Sequence, residues 1–160
     1  MPRIYDKSIT VGAESIDMLG HVNNREYLRW MEEAALAHSA AQGWPTARHL
    51  ASGKAWVASS HVIEYLRPAF SGDKLVLHTW VESVTGAHST RRYAVMRERK
   101  LLVRGETRWT FVNLASGRAI DVPPEVAAAF ESVSNGDAEL IERGIARHRR
   151  ELLRAAPSVQ

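Results

Sequence analysis

Residues 24–42 run without a proline or glycine, and within them Tyr27, Met31, Ala34, Ala35, His38 and Ala41 recur at three- and four-residue steps. That spacing is one face of an α-helix. Asn23 followed by Glu26 has the form of a capping box, and Gly43-Trp44-Pro45 supplies the stop. Such a helix is roughly 28 Å long, enough to cross a whole sheet. Its predicted inner face is mostly alanine in the C-terminal half, so it can lie close against a curved surface. A chain built on this helix needs a sheet to receive it.

The sheet follows directly. From Trp56 the pattern has period two: Val57, Ser59, His61, Ile63 and Tyr65 share one face of a predicted strand, and Trp56, Ala58, Ser60, Val62, Glu64 and Leu66 the other, up to Arg67-Pro68. Further strands are expected over residues 74–84, 88 to about 99, and 102–114, parted by short polar or glycine-containing turns. Four long strands in succession predict an antiparallel meander. A shorter strand within residues 3–16 precedes the helix. After Pro123-Pro124 a short helix to about residue 130 is expected, then a linker over 132–136. Residues 137–156 read as a last helix with Asp137, Glu139 and Glu142 early and Arg147, Arg149, Arg150 and Arg154 late, the order the helix dipole favours. The class is α+β.

A chain of 160 residues suits one domain, and two would be cramped. The absence of cysteine excludes disulfides and thiolate metal sites. With no signal-peptide core at the start and no apolar run long enough to span a bilayer, a cytoplasmic protein is the default. The net charge of +3 suits an anionic ligand or nucleic acid equally and separates nothing.

The chemistry concentrates in Glu14-Ser-Ile-Asp-Met-Leu-Gly-His-Val-Asn-Asn-Arg-Glu-Tyr27, just before and into the helix. It brings a carboxylate, a glycine turn and a histidine to a helix start, where backbone N–H groups are unpaired and the dipole is positive. Asp17 is a candidate base or nucleophile, and the N–H groups at Asn23 to Arg25 are candidate donors to an oxyanion. The bland alternatives stand beside these. Asp17 before Gly20 suits a turn, His21 could bond its own loop, and Asn23 and Asn24 are good caps in any protein.

Three groups of residues carry a resemblance: Asp17 to Tyr27, Glu64-Tyr-Leu-Arg-Pro-Ala69 with Gly72-Asp73, and Ser116-Gly117-Arg118 with Pro123-Pro124-Glu125. Together they resemble the hotdog-fold acyl-CoA thioesterases of the 4-hydroxybenzoyl-CoA thioesterase group, over roughly residues 4–131. The resemblance implies a long curved antiparallel sheet wrapped around one central helix, with residues 132–160 a linker and C-terminal helical extension. It implies hydrolysis of an acyl-CoA to free CoA and an acid without metal or other cofactor, with Asp17 and the Asn24 N–H as catalytic groups and His21 beside them. It also implies a homodimer, or a dimer of dimers, with each site at the subunit boundary. Related carrier-protein thioesterases place an asparagine where this chain has Leu19, which weakens a His/Asn mechanism and favours Asp17. The alternatives are a carrier-protein thioesterase or a non-catalytic acyl-CoA-binding hotdog protein.

For substrate contacts the candidates are Gly20, Asn23, Tyr27, Ser59, His61, Arg67, Arg91 and Arg92. The three arginines are candidates for CoA phosphates because each is expected near a strand end or sheet edge. Arg91 and Arg92 point to opposite faces of a regular strand, so at most one serves a given site. Tyr27 fits the core as well as a pocket wall, and the face carrying Ser59, His61 and Tyr65 reads most simply as a polar lining. The histidines show no metal-ligand spacing, and Arg147 to Arg150 lack the interleaved aromatics of a nucleic-acid patch.

Overall fold

In the computed structural model, residues 2–146 are described. The expected helix, α1, spans Asn24–Ala41, and the Asn23 side-chain oxygen accepts from the Arg25 N–H at 3.1 Å. A reciprocal capping box does not form, because the Asn23 N–H is taken by the Ser15 carbonyl at 2.8 Å. Glu26 turns instead to Ser15 and Arg29. The buried face carries Tyr27, Met31, Ala34, Ala35 and His38 as the periodicity requires, with Trp30 added. A second helix, α2 (Thr46–Ser52), was not foreseen. At seven residues it is too short to show a stripe.

Five strands form one antiparallel sheet: β1 (Ile4–Thr10), β2 (Lys54–Tyr65), β3 (Lys74–Thr85), β4 (His88–Arg97) and β5 (Lys100–Asn113). Their order is β1-β3-β4-β5-β2. The expected four-strand meander is therefore corrected to three strands, β3 to β5, with β2 on the outer edge beside β5. The connection through residues 66–73 contains Pro68 and is no tight hairpin. It is tied across the sheet instead: Leu66 and Arg67 donate to the Leu102 carbonyl at 2.8 and 3.0 Å, and Val22 donates to that of Ala69 at 2.9 Å.

A bulge between Ala58 and Ser60 corrects the predicted faces of β2. Trp56 pairs with Phe111 and His61 with Thr107, two positions of like parity on unbroken β5. Trp56 and His61 thus share the inner face, although uninterrupted alternation put them on opposite sides. Ser59 is turned outward, where its hydroxyl meets Thr110 at 2.5 Å.

The main core lies between α1 and the sheet and includes Trp30, Met31, Leu77, Val95 and Val103. A smaller core covers part of the other face, over β1, β3 and β4, where Ile4, Trp80 and Ala94 pack against Val133 and Leu140. Residues 132–146, read from sequence as linker and extension, thus lie on the sheet. Arg3 ties them down through Asp137 at 3.0 Å and Glu139 at 2.7 Å. Beyond α3 (Pro124–Ala127), the described part of the expected terminal helix forms only α4 (Ala138–Glu142), after which the chain turns at Gly144, with φ of 75°. Residues 147–156 of that predicted helix, with Arg147 to Arg154, lie outside the described residues.

Candidate active site at the start of the central helix

The site begins with a small hairpin. Ile16 bridges Val22, the Asp17 N–H donates to the His21 carbonyl at 2.9 Å, and the Gly20 N–H donates to the Asp17 carbonyl at 3.1 Å. Gly20 has φ of 79°, which explains a glycine at that position. The Asp17 carboxylate holds the turn with one oxygen, Oδ1 accepting from the Leu19 N–H at 2.9 Å. Among the described residues Oδ2 has no hydrogen-bond donor. At the tip, Met18 is 99% exposed and Leu19 75% exposed, two apolar side chains in solvent beside a carboxylate.

Val22, only 3% exposed, anchors the hairpin in the core and delivers the chain to α1. Around this turn the Asn23 N–H goes to Ser15, the Arg25 N–H to the Asn23 side chain, and the Glu26 N–H to the Asn23 carbonyl. Among the described residues the Asn24 N–H donates to nothing. It is an open donor at the positive end of an 18-residue helix, just past a carboxylate-bearing turn.

The other candidates are spread more widely than the sequence suggested. The His21 ring stands edge-on to Phe70 at 5.3 Å, and no hydrogen bond joins it to Asp17. Tyr27 is a core residue, 2% exposed, between Trp30 and Tyr65. Burial pushes its hydroxyl up to about 12, so it stays neutral. Tyr65 reaches the site, its hydroxyl donating to the Asn24 carbonyl at 3.4 Å. His61 lies under α1, with Nδ1 against the Thr107 hydroxyl at 2.8 Å and Nε2 3.8 Å from Glu32. The bulge separates it from Ser59.

Of the three arginines, Arg67 is exposed where β2 ends and donates to the Leu101 carbonyl at 2.9 Å. The expectation of strand-end or edge positions fails for the other two, because β4 is interior to the sheet. Arg92 lies on the outer face between Glu82 and Glu106, each at 3.1 Å. Arg91 is buried on the inner face. Arg91 shares parity with Tyr93 and Val95 of the main core, but Ala94 and Met96 of the opposite parity are buried too, so the alternation by itself does not choose the inward arginine.

Residues 11–130 match the thioesterase-like superfamily. The chain belongs to that superfamily. The match takes in the Asp17 hairpin, α1, β2 to β5 and α3, and stops before the stretch that covers part of the outer face. The long-chain acyl-CoA thioesterase FadM of Escherichia coli is 29% identical over 126 residues, 77% of this chain and 88% of the relative. A putative esterase of Aquifex aeolicus is 26% identical over 79% of this chain and 95% of its own. Among solved structures, a hypothetical protein of Aquifex aeolicus superposes with a TM-score of 0.73 at 25% identity, covering 81% of this chain and all of the other. A 1,4-dihydroxy-2-naphthoyl-CoA thioesterase from Synechocystis shares the fold, with a TM-score of 0.72 at 18% identity over 79% of this chain and 94% of that one. The fold is the hotdog fold, and the chain is a thioester hydrolase by family. In this superfamily member the acid and the open helix-start donor occupy one short segment, residues 17–24.

Proposed function

We propose that the protein hydrolyses an acyl-CoA to free CoA and a carboxylic acid at the start of α1. The observation that carries this reading is the open Asn24 N–H beside the Asp17 hairpin. A thioester carbonyl placed there meets a fixed donor and the helix dipole, both of which strengthen as its oxygen gains charge. Asp17 acts through its free oxygen in one of two ways. As a base it takes a proton from water, whose oxygen attacks the carbonyl carbon. As a nucleophile it forms an acyl anhydride that water then opens. Either way the C–S bond breaks, the sulfur leaves with CoA and takes up a proton, and the acyl group leaves as a carboxylate. No metal or cofactor takes part.

No hydrogen bond joins the His21 ring to the Asp17 carboxylate, so proton transfer falls to the carboxylate alone. Arg67 supplies a phosphate contact, two residues beyond the Tyr65 that touches the Asn24 carbonyl. The named activity of FadM favours CoA over a protein-bound carrier.

Asp17→Asn tests the reading more sharply than Asp17→Ala, because an amide oxygen still accepts from the Leu19 N–H and preserves the turn. Thiol release from short, long, aromatic and charged acyl-CoAs is the measurement, with folding followed by circular dichroism. The expected loss in kcat is about 10²- to 10⁴-fold at unchanged fold. Wild-type activity in Asp17→Asn would overturn the role of Asp17. Hydrolysis of acyl carrier proteins but of no acyl-CoA would move the protein to the carrier-protein reading.

A further inference from the structure

A cavity of about 130 Å³ lies between the C-terminal half of α1, α2 and the sheet. Ala35, Trp44, Trp56, Val81, Trp109 and Phe130 give it an apolar and largely aromatic wall. One charged group enters that wall, the Arg91 guanidinium, on a residue only 5% exposed. Its Nη1 donates to His38 Nδ1 at 3.0 Å and to the Thr79 hydroxyl at 3.1 Å. Neither partner is an anion. His38 is a neutral imidazole, held in one tautomer by the Pro2 carbonyl on Nε2 at 3.0 Å.

Among the described residues no carboxylate pairs with Arg91, and nothing accepts from its Nε or Nη2. The contrast with Arg92 is direct, since that neighbour sits between two glutamates. The Phe130 ring, 5.7 Å from the guanidinium carbon, offers its face but no lone pair. A guanidinium taken out of water without a counter-ion is costly, and its two open donors form the planar fork that matches a carboxylate. The wall holds two more unpaired polar groups, the ring nitrogens of His49 and the Trp109 N–H.

We propose that this cavity binds a ligand with a ring-sized apolar body ending in a carboxylate, which Arg91 receives. An apolar cavity of about 150 Å³ accepts benzene, so a six-membered ring or a short branched chain matches the space. Two sources share this chemistry: the distal end of an acyl group, or a free carboxylic acid. Along the axis of α1, roughly 16 Å separates Asn24 from Ala35, so only a long acyl group held at the helix start reaches the cavity. Binding of a free acid does not depend on the thioesterase reading, so the two stand or fall separately.

The test is calorimetric titration of the full chain with cyclohexanecarboxylate and with cyclohexanecarboxamide, which share a shape and differ in charge. Tryptophan fluorescence gives a second reading, because Trp44, Trp56 and Trp109 line the cavity. The acid is expected to bind at least about tenfold tighter than the amide, as a charge-assisted pair requires. In Arg91→Met that ratio falls to about one, and in Arg91→Lys part of it returns. Ser89→Leu, two residues away on the same face of β4, fills the cavity with Arg91 in place and abolishes both affinities. If wild-type protein binds neither compound, or both equally, the proposal is overturned, and this comparison holds even if a variant fails to fold. Acyl-CoAs with and without a distal carboxylate separate the sources. A lower KM for the charged acyl group, lost in Arg91→Met, assigns the site to substrate; free-acid binding without that preference assigns it to a separate acid.

Discussion

His38 sits where a positive charge is hardest to hold, 1% exposed and bonded to a guanidinium. Burial and the Arg91 charge push its pKa down to about 4, against an ordinary value of 6.5. The unfolded chain therefore takes up this proton as pH falls below 6.5, while the folded chain resists until about 4. Stability from this group is complete above 6.5 and is lost through that window, in total about 3 kcal/mol. Urea unfolding at pH 7 and pH 4.5 should show the loss, and His38→Gln should shrink the difference between the two. His49, also pushed down by burial, acts in the same direction, so the comparison with the variant isolates His38. An unchanged pH dependence in His38→Gln would refute the assignment.

α1 links a stability question to a catalytic one, because its cap also sets the direction of its first turn. Asn23→Ala removes the acceptor from the Arg25 N–H and should cost about 1 kcal/mol in thermal or urea unfolding, whereas Asn23→Ser should nearly retain wild-type stability. The same two variants should rank in the same order in kcat. Equal stability of all three proteins would show that the cap is idle. This helix and the long strands were legible in the sequence because periodicity and Pro/Gly punctuation are local. The Asp17 hairpin was legible for the same reason, with an acid, Gly20 and two asparagines in a few residues. Three features depend on partners distant in sequence and were not legible. The place of β2 beside β5 is a pairing across the whole meander, and the bulge at Ser59 appears only against the register of β5. The outward Arg92 and the buried Arg91 were recognised as opposite, yet which one faced inward depended on where α1 lies.

At the scale of the molecule, β2 is an open sheet edge, and Val57, Val62, Tyr65 and Leu66 on or just past it are 42–57% exposed. Unpaired strand groups and apolar side chains together favour pairing with a second chain. Met18 and Leu19 project from the hairpin into solvent and would gain cover in the same association. The expected outcome is a homodimer in sedimentation equilibrium, driven toward monomer by Val62→Lys. A wild-type monomer at micromolar concentration would refute it. The other face of the sheet has a different fate. Val133 and Leu140 already sit on Ile4, Trp80 and Ala94, carried there by the same polypeptide. A tethered segment competes at an effective local concentration on the order of millimolar, above that of most free subunits. A second copy settling on that patch would first have to displace residues 132–146, so association is expected to start at the open β2 edge instead.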